Sequence, residues 1–197
     1  MLPTHLLQQL SHQPYLNKLG YQVTGVDLSE NSIAIANESS NESLQFKTHD
    51  MREPMNKTYD AVFNLFTSFG YFDNELDNLR TIKAIKANLS SNGLAVIDFL
   101  NVCYVASNLV KQETKIVDGI SFDIKREINN GYIQKHISFF VDNNHYEFTE
   151  KVRALTLKDF KTYFKEAGLK LKQTFGDYHL NAFDTATSER LILIFGV

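Results

Sequence analysis

Apolar and polar residues follow two different periods over the first hundred residues. Short segments with apolar residues predict four strands, at residues 22–27, 44–48, 59–65 and 94–100, and those at 22–27, 59–65 and 94–100 are expected to be buried. Apolar residues at helical spacing predict a helix over residues 4–19, which Pro14 either starts or kinks and Gly20 ends, and a second helix over residues 74–89. Strands that alternate with helices in this way are typical of an α/β fold with a parallel sheet.

From residue 101 onward, the pattern changes to an alternation of period two. Asp118-Gly119 separates two alternating runs, which predicts a β-hairpin, and the alternation continues to residue 154. We therefore expect a single domain over residues 1–197 that carries an antiparallel β insertion at residues 101–154. A helix at 156–167 and strands at 169–178 and 190–197 complete the chain, and the short connection between these two strands predicts that they run antiparallel.

Composition and charge exclude several classes of partner. The chain has 197 residues, a formal net charge of -3 and no run of Lys or Arg, so no nucleic-acid partner is expected. It has neither a bilayer-length apolar stretch nor a signal peptide, which predicts a cytoplasmic protein without a membrane partner. The single Cys103 excludes an internal disulfide, and we expect it to be a small buried apolar residue. No metal-ligand spacing such as HxH or HExxH occurs, so no metal is expected, and the oligomeric state stays open.

Three consecutive strands end in residues that suit a nucleotide-like ligand. Asp27 ends the first strand, where a carboxylate accepts hydrogen bonds from ribose hydroxyls or merely caps the next helix. Asp50 and Met51 follow the second strand, where a carboxylate suits an adenine amino group and a thioether suits its ring. An aromatic-rich loop over residues 64–72 follows the third strand. Ligands of such sheets bind at the carboxyl ends of the strands, so the three ends predict one crevice.

These segments together resemble one family. The chain is similar to small-molecule class I S-adenosylmethionine-dependent methyltransferases in the runs VTGVDLSENSIAIA, HDMREP, YDAVFNLFTSFGYF and RLILIF. The likeness covers residues 15–197. It implies a Rossmann-like α/β sheet with a reversed last strand, S-adenosylmethionine as the cofactor, a small-molecule substrate, and an insertion that caps the active site.

The resemblance also implies roles for individual residues. It makes six residues cofactor contacts: Asp27 at the ribose, Leu28 at adenine, Asp50 at the adenine amino group with Met51 beside it, and Asn64 and Phe66 at the methionine end. Three further residues would face the transferred methyl group and its acceptor: Ser68, Phe69 and Tyr71. It assigns no catalytic acid or base, so the catalytic residues stay unknown.

One part of the family pattern is absent from the sequence. No glycine precedes Gly20, and residues 1–14 contain neither the apolar first strand nor the glycine-rich loop that brings backbone amides to the methionine end of the cofactor. We therefore expect the central strand of the sheet to be missing and the chain to be a truncated or frame-disrupted relative of an active enzyme.

Three functions remain open from the sequence. The first is methyl transfer from S-adenosylmethionine to a small molecule, and the second is a non-catalytic remnant that binds the cofactor weakly or not at all. The third is a nicotinamide-binding Rossmann protein, in which Asp27 would bind the same ribose. The antiparallel last strand and the aromatic loop disfavour this third function.

Overall fold

The computed structural model describes residues 12–197. The first half of the chain forms α1 (His12–Lys18), β1 (Val23–Asp27), α2 (Glu30–Ala36), a short 3-10 helix (Asn37–Ser39), β2 (Leu44–Thr48), β3 (Tyr59–Asn64), α3 (Glu75–Ala87) and β4 (Leu89–Leu100). The second half forms α4 (Val102–Ser107), β5 (Gln112–Val117), β6 (Ile120–Asn129), β7 (Tyr132–Val141), β8 (Asn144–Arg153), α5 (Leu157–Ala167), β9 (Lys170–Phe175) and β10 (Arg190–Gly196).

The α/β part contains two groups of strands. β1 and β2 pair in parallel, with Asp27 opposite Thr48. The second group has the order β3-β4-β10-β9; β3 and β4 are parallel, whereas β10 runs antiparallel to both of its neighbours. The prediction of a reversed last strand is therefore confirmed.

Within residues 12–197, the sheet is interrupted between β1 and β3. Each of these strands pairs on one side alone in the described part of the chain. The prediction that β3 is fully buried is wrong, because Ala61 and Phe63 are exposed and Phe63 keeps 51% of its surface accessible. A strand with one paired edge leaves its other edge and the adjacent side chains open to solvent.

The main core lies between the four-stranded group and helices α3 and α5. Five phenylalanines of this core are almost completely buried: Phe69, Phe99, Phe160, Phe164 and Phe195. A smaller separate cluster joins α2 to β2 through Ile33, Ala36, Leu44 and Phe46. The larger core thus supports the end of the sheet that carries the aromatic loop after β3.

The insertion forms the predicted antiparallel sheet, in the order β5-β6-β7-β8. Asp118 and Gly119 both have positive φ, of 51° and 80°, which is the backbone of a two-residue hairpin turn. The other end of the insertion contacts the core through Val152, and the backbone N–H of Arg153 donates to the Gly70 carbonyl at 2.8 Å. The insertion is therefore attached directly to the loop after β3.

Several local expectations need correction. The predicted helix over residues 4–19 falls partly outside the described residues; its described part is His12–Lys18, which includes Pro14. β4 begins at Leu89 rather than Leu94, and its register with β3 shifts between Tyr59 and Ala61. Cys103 is exposed on α4 instead of buried.

Candidate functional site

Asp27 lies at the carboxyl end of β1, where its carboxylate organises the start of α2. Its Oδ1 accepts a hydrogen bond from the Ser29 backbone N–H at 2.8 Å, and Ser29 in turn caps α2 through its side chain. The next residue, Leu28, keeps 61% of its surface exposed. The hydrogen bonds recorded within residues 12–197 occupy Oδ1 and leave Oδ2 available to a ligand.

Asp50 lies two residues past β2, and Arg52 holds most of its carboxylate. The backbone N–H, Nε and Nη2 of Arg52 all donate to Asp50, at 2.9, 3.0 and 2.6 Å. The hydrogen bonds from Arg52 lower the pKa of Asp50 from 3.8 to about 2. Arg52 Nη1 also donates to Asp77 Oδ2 of α3 at 2.8 Å, so Arg52 connects the end of β2 to that helix.

Asn64, the last residue of β3, lies against Met51. Its Nδ2 donates to the Met51 sulfur at 3.8 Å, which brings the ends of β2 and β3 together. Asn64 Oδ1 is buried and has no hydrogen-bond partner in the described structure. A buried acceptor without a partner is costly in a native protein unless a water or ligand supplies the donor.

The loop after β3 has an unusual backbone and faces in two directions. Phe66 and Thr67 both have φ of 58°, in the left-handed region, which residues other than glycine rarely adopt. Ser68 turns its hydroxyl back onto the Leu65 carbonyl at 2.8 Å. Tyr71 is 51% exposed, whereas Phe69 has no exposed surface and packs on Phe160 with ring centroids 5.4 Å apart.

The structure therefore separates the three residues that were expected to face the methyl acceptor. Phe69 is a core residue, so the expectation that it contacts the acceptor is wrong for this structure. Tyr71 remains accessible, and partial burial of its hydroxyl raises its pKa, which keeps the phenol protonated at neutral pH. Ser68, which directly precedes Phe69, is half-buried.

A buried charged network lies behind this loop and was not predicted from the sequence. Asp98, 2% exposed in β4, accepts hydrogen bonds from the Phe66 backbone N–H, the Tyr178 hydroxyl and the Arg190 guanidinium. Arg190 also donates to Thr67 Oγ1 at 3.1 Å. The available signal was a lone acidic residue inside the apolar run LAVIDFL of a predicted buried strand.

A cavity of about 380 Å³ lies elsewhere, at the start of α4 and α5. Its lining includes Asn101, Cys103, Lys158 and Phe183, and none of the nine residues that the resemblance assigned to the site. Among residues 12–197, no cluster of three or more His, Cys, Asp or Glu side chains has the arrangement of a metal site. Within the same residues, no helix combines the length and the apolar character needed to cross a bilayer.

Comparison with known proteins identifies the family of this chain. The family model described as a methyltransferase domain matches residues 12–174, which include β1 to β4, the insertion and α5. The chain belongs to this methyltransferase family.

Individual relatives agree with that assignment. This methyltransferase is 27% identical over 190 residues to a putative methyltransferase of Bacillus subtilis strain 168, YqeM; the match covers 89% of this chain and 75% of that protein. The structure of an S-adenosylmethionine-dependent methyltransferase from Clostridium acetobutylicum superposes with a TM-score of 0.77 at 18% identity, covering 88% of this chain and 74% of the other. The sugar N-methyltransferase KedS8 from a Streptoalloteichus species superposes with a TM-score of 0.67 at 15% identity, covering 88% and 70%. The fold of this chain is therefore that of the class I S-adenosylmethionine-dependent methyltransferases.

Proposed function

We propose that this protein transfers a methyl group from S-adenosylmethionine to a small-molecule acceptor. The observation that carries this proposal is the meeting of three strand ends at one edge of the fold. The His49 backbone N–H donates to the Asp27 carbonyl at 3.0 Å, and Asn64 contacts Met51, so the ends of β1, β2 and β3 are connected in sequence. This edge is where ligands bind in sheets of this type.

The side chains at that edge fit the parts of the cofactor in turn. Asp27 Oδ2 would accept from the ribose hydroxyls, and exposed Leu28 and Met51 would pack against the adenine ring. A carboxylate has about four lone-pair positions, and Arg52 makes four hydrogen bonds to Asp50, so the adenine amino group would have to share or displace one of them. The buried Oδ1 of Asn64 would accept a donor from the methionine end, beside Phe66.

The cofactor, when bound, supplies an electrophilic methyl group on a sulfonium sulfur. The protein then has to hold the acceptor in line with that methyl group, and such alignment alone supplies a large part of the rate enhancement. Ser68 and Tyr71 are the accessible candidates for contacts to the acceptor. Because its phenol stays protonated, Tyr71 would act as a hydrogen-bond donor rather than as a base.

A small molecule is the acceptor class that the comparisons favour. A structural relative of this chain is named as a sugar N-methyltransferase, and the antiparallel insertion is attached beside the loop after β3, where it would cap an acceptor. We infer that the protein acts in the cytoplasm, without a nucleic-acid or membrane partner.

Calorimetric titration with S-adenosylhomocysteine, the product form of the cofactor, tests the proposal. Wild-type protein should bind with micromolar affinity. Asp27→Asn keeps the Oδ1 acceptor for Ser29 and removes the charge at the ribose, so we expect a loss of about 2 kcal/mol, roughly 30-fold in Kd. Asp123→Asn is the matched control, because Asp123 accepts a single hydrogen bond from Thr114 on an exposed strand of the insertion.

The titration also decides between this function and the two alternatives. No binding at millimolar ligand would favour a remnant that keeps the fold without the cofactor site. The open edges of β1 and β3 within residues 12–197 are the observation on which that alternative rests. Binding of NAD in place of S-adenosylhomocysteine would favour a nicotinamide-binding protein.

A further inference from the structure

Asp98 lies in a site built to hold a negative charge. Its Oδ1 is 2.7 Å from Arg190 Nη2 and accepts from Nε at 2.8 Å, while Oδ2 accepts from the Phe66 backbone N–H and the Tyr178 hydroxyl, each at 3.0 Å. A carboxylate that is 2% exposed is tolerated when it is ion-paired and fully hydrogen-bonded, as it is here.

Asp98 and Arg190 hold Phe66 and Thr67, the two non-glycine residues of the site with positive φ. For Thr67, a β-branched residue, a φ of 58° is an outlier, and such conformations persist only where the surroundings impose them. Three hydrogen bonds do so: Phe66 N–H to Asp98 Oδ2, Thr67 N–H to the Asp98 carbonyl at 3.0 Å, and Arg190 Nη2 to Thr67 Oγ1 at 3.1 Å.

The held residues adjoin the predicted methionine end of the cofactor site. Phe66 lies two residues after Asn64, whose buried Oδ1 lacks a partner in the described structure. A change of φ at positions 66 and 67 would rotate the Phe66 ring and move the end of β3 where Asn64 lies. The conformation of this loop therefore decides whether both side chains reach one ligand.

We propose that Asp98 is a positioning residue of the methyl-transfer site: ion-paired with Arg190, it holds Phe66 and Thr67 in the left-handed conformation that directs Phe66 and Asn64 to the cofactor. This role rests on the proposed function for its consequence, since Asp98 itself touches the loop and not the ligand.

The central variant is Asp98→Asn, which keeps the size of the side chain and removes its charge. Loss of a charged hydrogen bond at Phe66 should speed amide hydrogen exchange at Phe66 and Thr67 by about tenfold and raise the Kd for S-adenosylhomocysteine by about tenfold. Exchange in β9 and in the insertion should stay unchanged. Asp123→Asn again serves as the control, with no change in either measurement.

A rescue variant separates positioning of the loop from general stabilisation. Asparagine enters the left-handed region readily, so Thr67→Asn in the Asp98→Asn background should slow exchange at Phe66 and restore most of the lost affinity. General destabilisation would instead raise exchange across the whole core, and Thr67→Asn would not reverse it. Either unchanged exchange at Phe66 and Thr67 in folded Asp98→Asn, or a uniform rise across the core, would overturn the proposal.

A second variant, and a readout that needs no ligand, keep the test decisive. Should Asp98→Asn fail to fold, Arg190→Lys keeps a positive charge beside Asp98 and removes the bond to Thr67 Oγ1; exchange at Thr67 should then rise, and no change would overturn the proposal. Hydrogen exchange needs no ligand. Wild-type protein that binds no S-adenosylhomocysteine would therefore end the proposed function, while faster exchange in Asp98→Asn would still establish that Asp98 holds the loop.

Discussion

The pairing of Arg52 with Asp50 makes the most quantitative prediction about this protein. Arg52→Gln removes the guanidinium that contacts both Asp50 and Asp77, while the backbone N–H of residue 52 still donates to Asp50. We expect the pKa of Asp50 to rise from about 2 toward its ordinary value of 3.8. We also expect the variant to unfold at a lower urea concentration at neutral pH.

The size of the effect follows from the shift in pKa. A change of one pKa unit corresponds to about 1.4 kcal/mol, so the full shift would be worth ~2 kcal/mol. The side chains of Asp50 and Arg52 keep 24% and 33% of their surface exposed, and solvent screening reduces such pairs. We therefore expect a loss of about 1 kcal/mol in the free energy of unfolding at pH 7.

The dependence on pH has a definite direction. The folded-state pKa of Asp50 lies below its ordinary value, so the stabilisation is complete above pH 3.8 and is lost as the pH falls toward about 2. The difference in unfolding free energy between wild type and Arg52→Gln should accordingly shrink over that range. Arg52→Gln should also free the Asp50 carboxylate for a ligand donor.

Two measurements check this prediction. The carbon-13 chemical shift of the Asp50 carboxyl group, followed against pH, reports its pKa directly, and urea unfolding reports the stability. Lys135→Gln is the matched control, because Lys135 forms an ion pair with Glu150 between two strands of the insertion, with side chains 29% and 52% exposed, and it should cost less than about 0.5 kcal/mol. An Asp50 pKa that stays near 2 in Arg52→Gln, with a stability loss no larger than that of Lys135→Gln, would refute the reasoning.

Two further predictions concern corrected residues. Phe69→Ala should lower the free energy of unfolding, measured in urea, by about 3–5 kcal/mol, because Phe69 is fully buried against Phe160. Phe140→Ala is the control, since Phe140 is 65% exposed and its loss should cost less than about 1 kcal/mol. Equal losses in the two variants would contradict the placement of Phe69 in the core. Cys103 is exposed, so a thiol reagent should label one equivalent in native protein about as fast as in urea, and labelling that requires urea would show that Cys103 is buried.

Local sequence patterns predicted the helices, strands and turns well, because the interactions that form these elements join residues close in the chain. The bounds of β2, Leu44–Thr48, match the predicted strand. Thr156 caps the start of α5, and Asp159 accepts from its backbone N–H at 2.8 Å, as expected for a threonine followed three residues later by an acidic residue. Asp118-Gly119 likewise forms the predicted hairpin. In each case the signal and the structure that it specifies lie within a few residues.

The parts of the site that escaped prediction depend on contacts distant in the chain. Asp98 bonds to residues that are 32, 80 and 92 positions away, and no local pattern reports such partners. Phe69 looked like a ligand contact because an aromatic-rich loop does not reveal which ring enters the core. The exposure of β3 follows from its unpaired edge. An apolar run in the sequence predicts a hydrophobic strand, but it does not show whether strands pair with it on both sides.

Within residues 12–197, the segment 49–55 and a ring contact between His12 and Phe66, with centroids 4.9 Å apart, connect the two parts of the candidate site; strand pairing does not. The segment bonds to β1 through His49, contacts β3 through Met51, and reaches α3 and its carboxyl end through Arg52 and Met55, whose backbone N–H donates to Asn88 Oδ1 at 2.7 Å.

The relative position of Asp27 and Asn64 therefore depends on the backbone hydrogen bond from His49 to Asp27 and on side-chain contacts that are individually weak. A ligand that bonds to both residues would add a further connection across the interrupted sheet, and its binding free energy would stabilise the folded protein by mass action. The rise in melting temperature caused by S-adenosylhomocysteine should therefore be smaller in Asp27→Asn and in Asn64→Ala alike, and a rise that one of these substitutions leaves unchanged would place that residue outside the site.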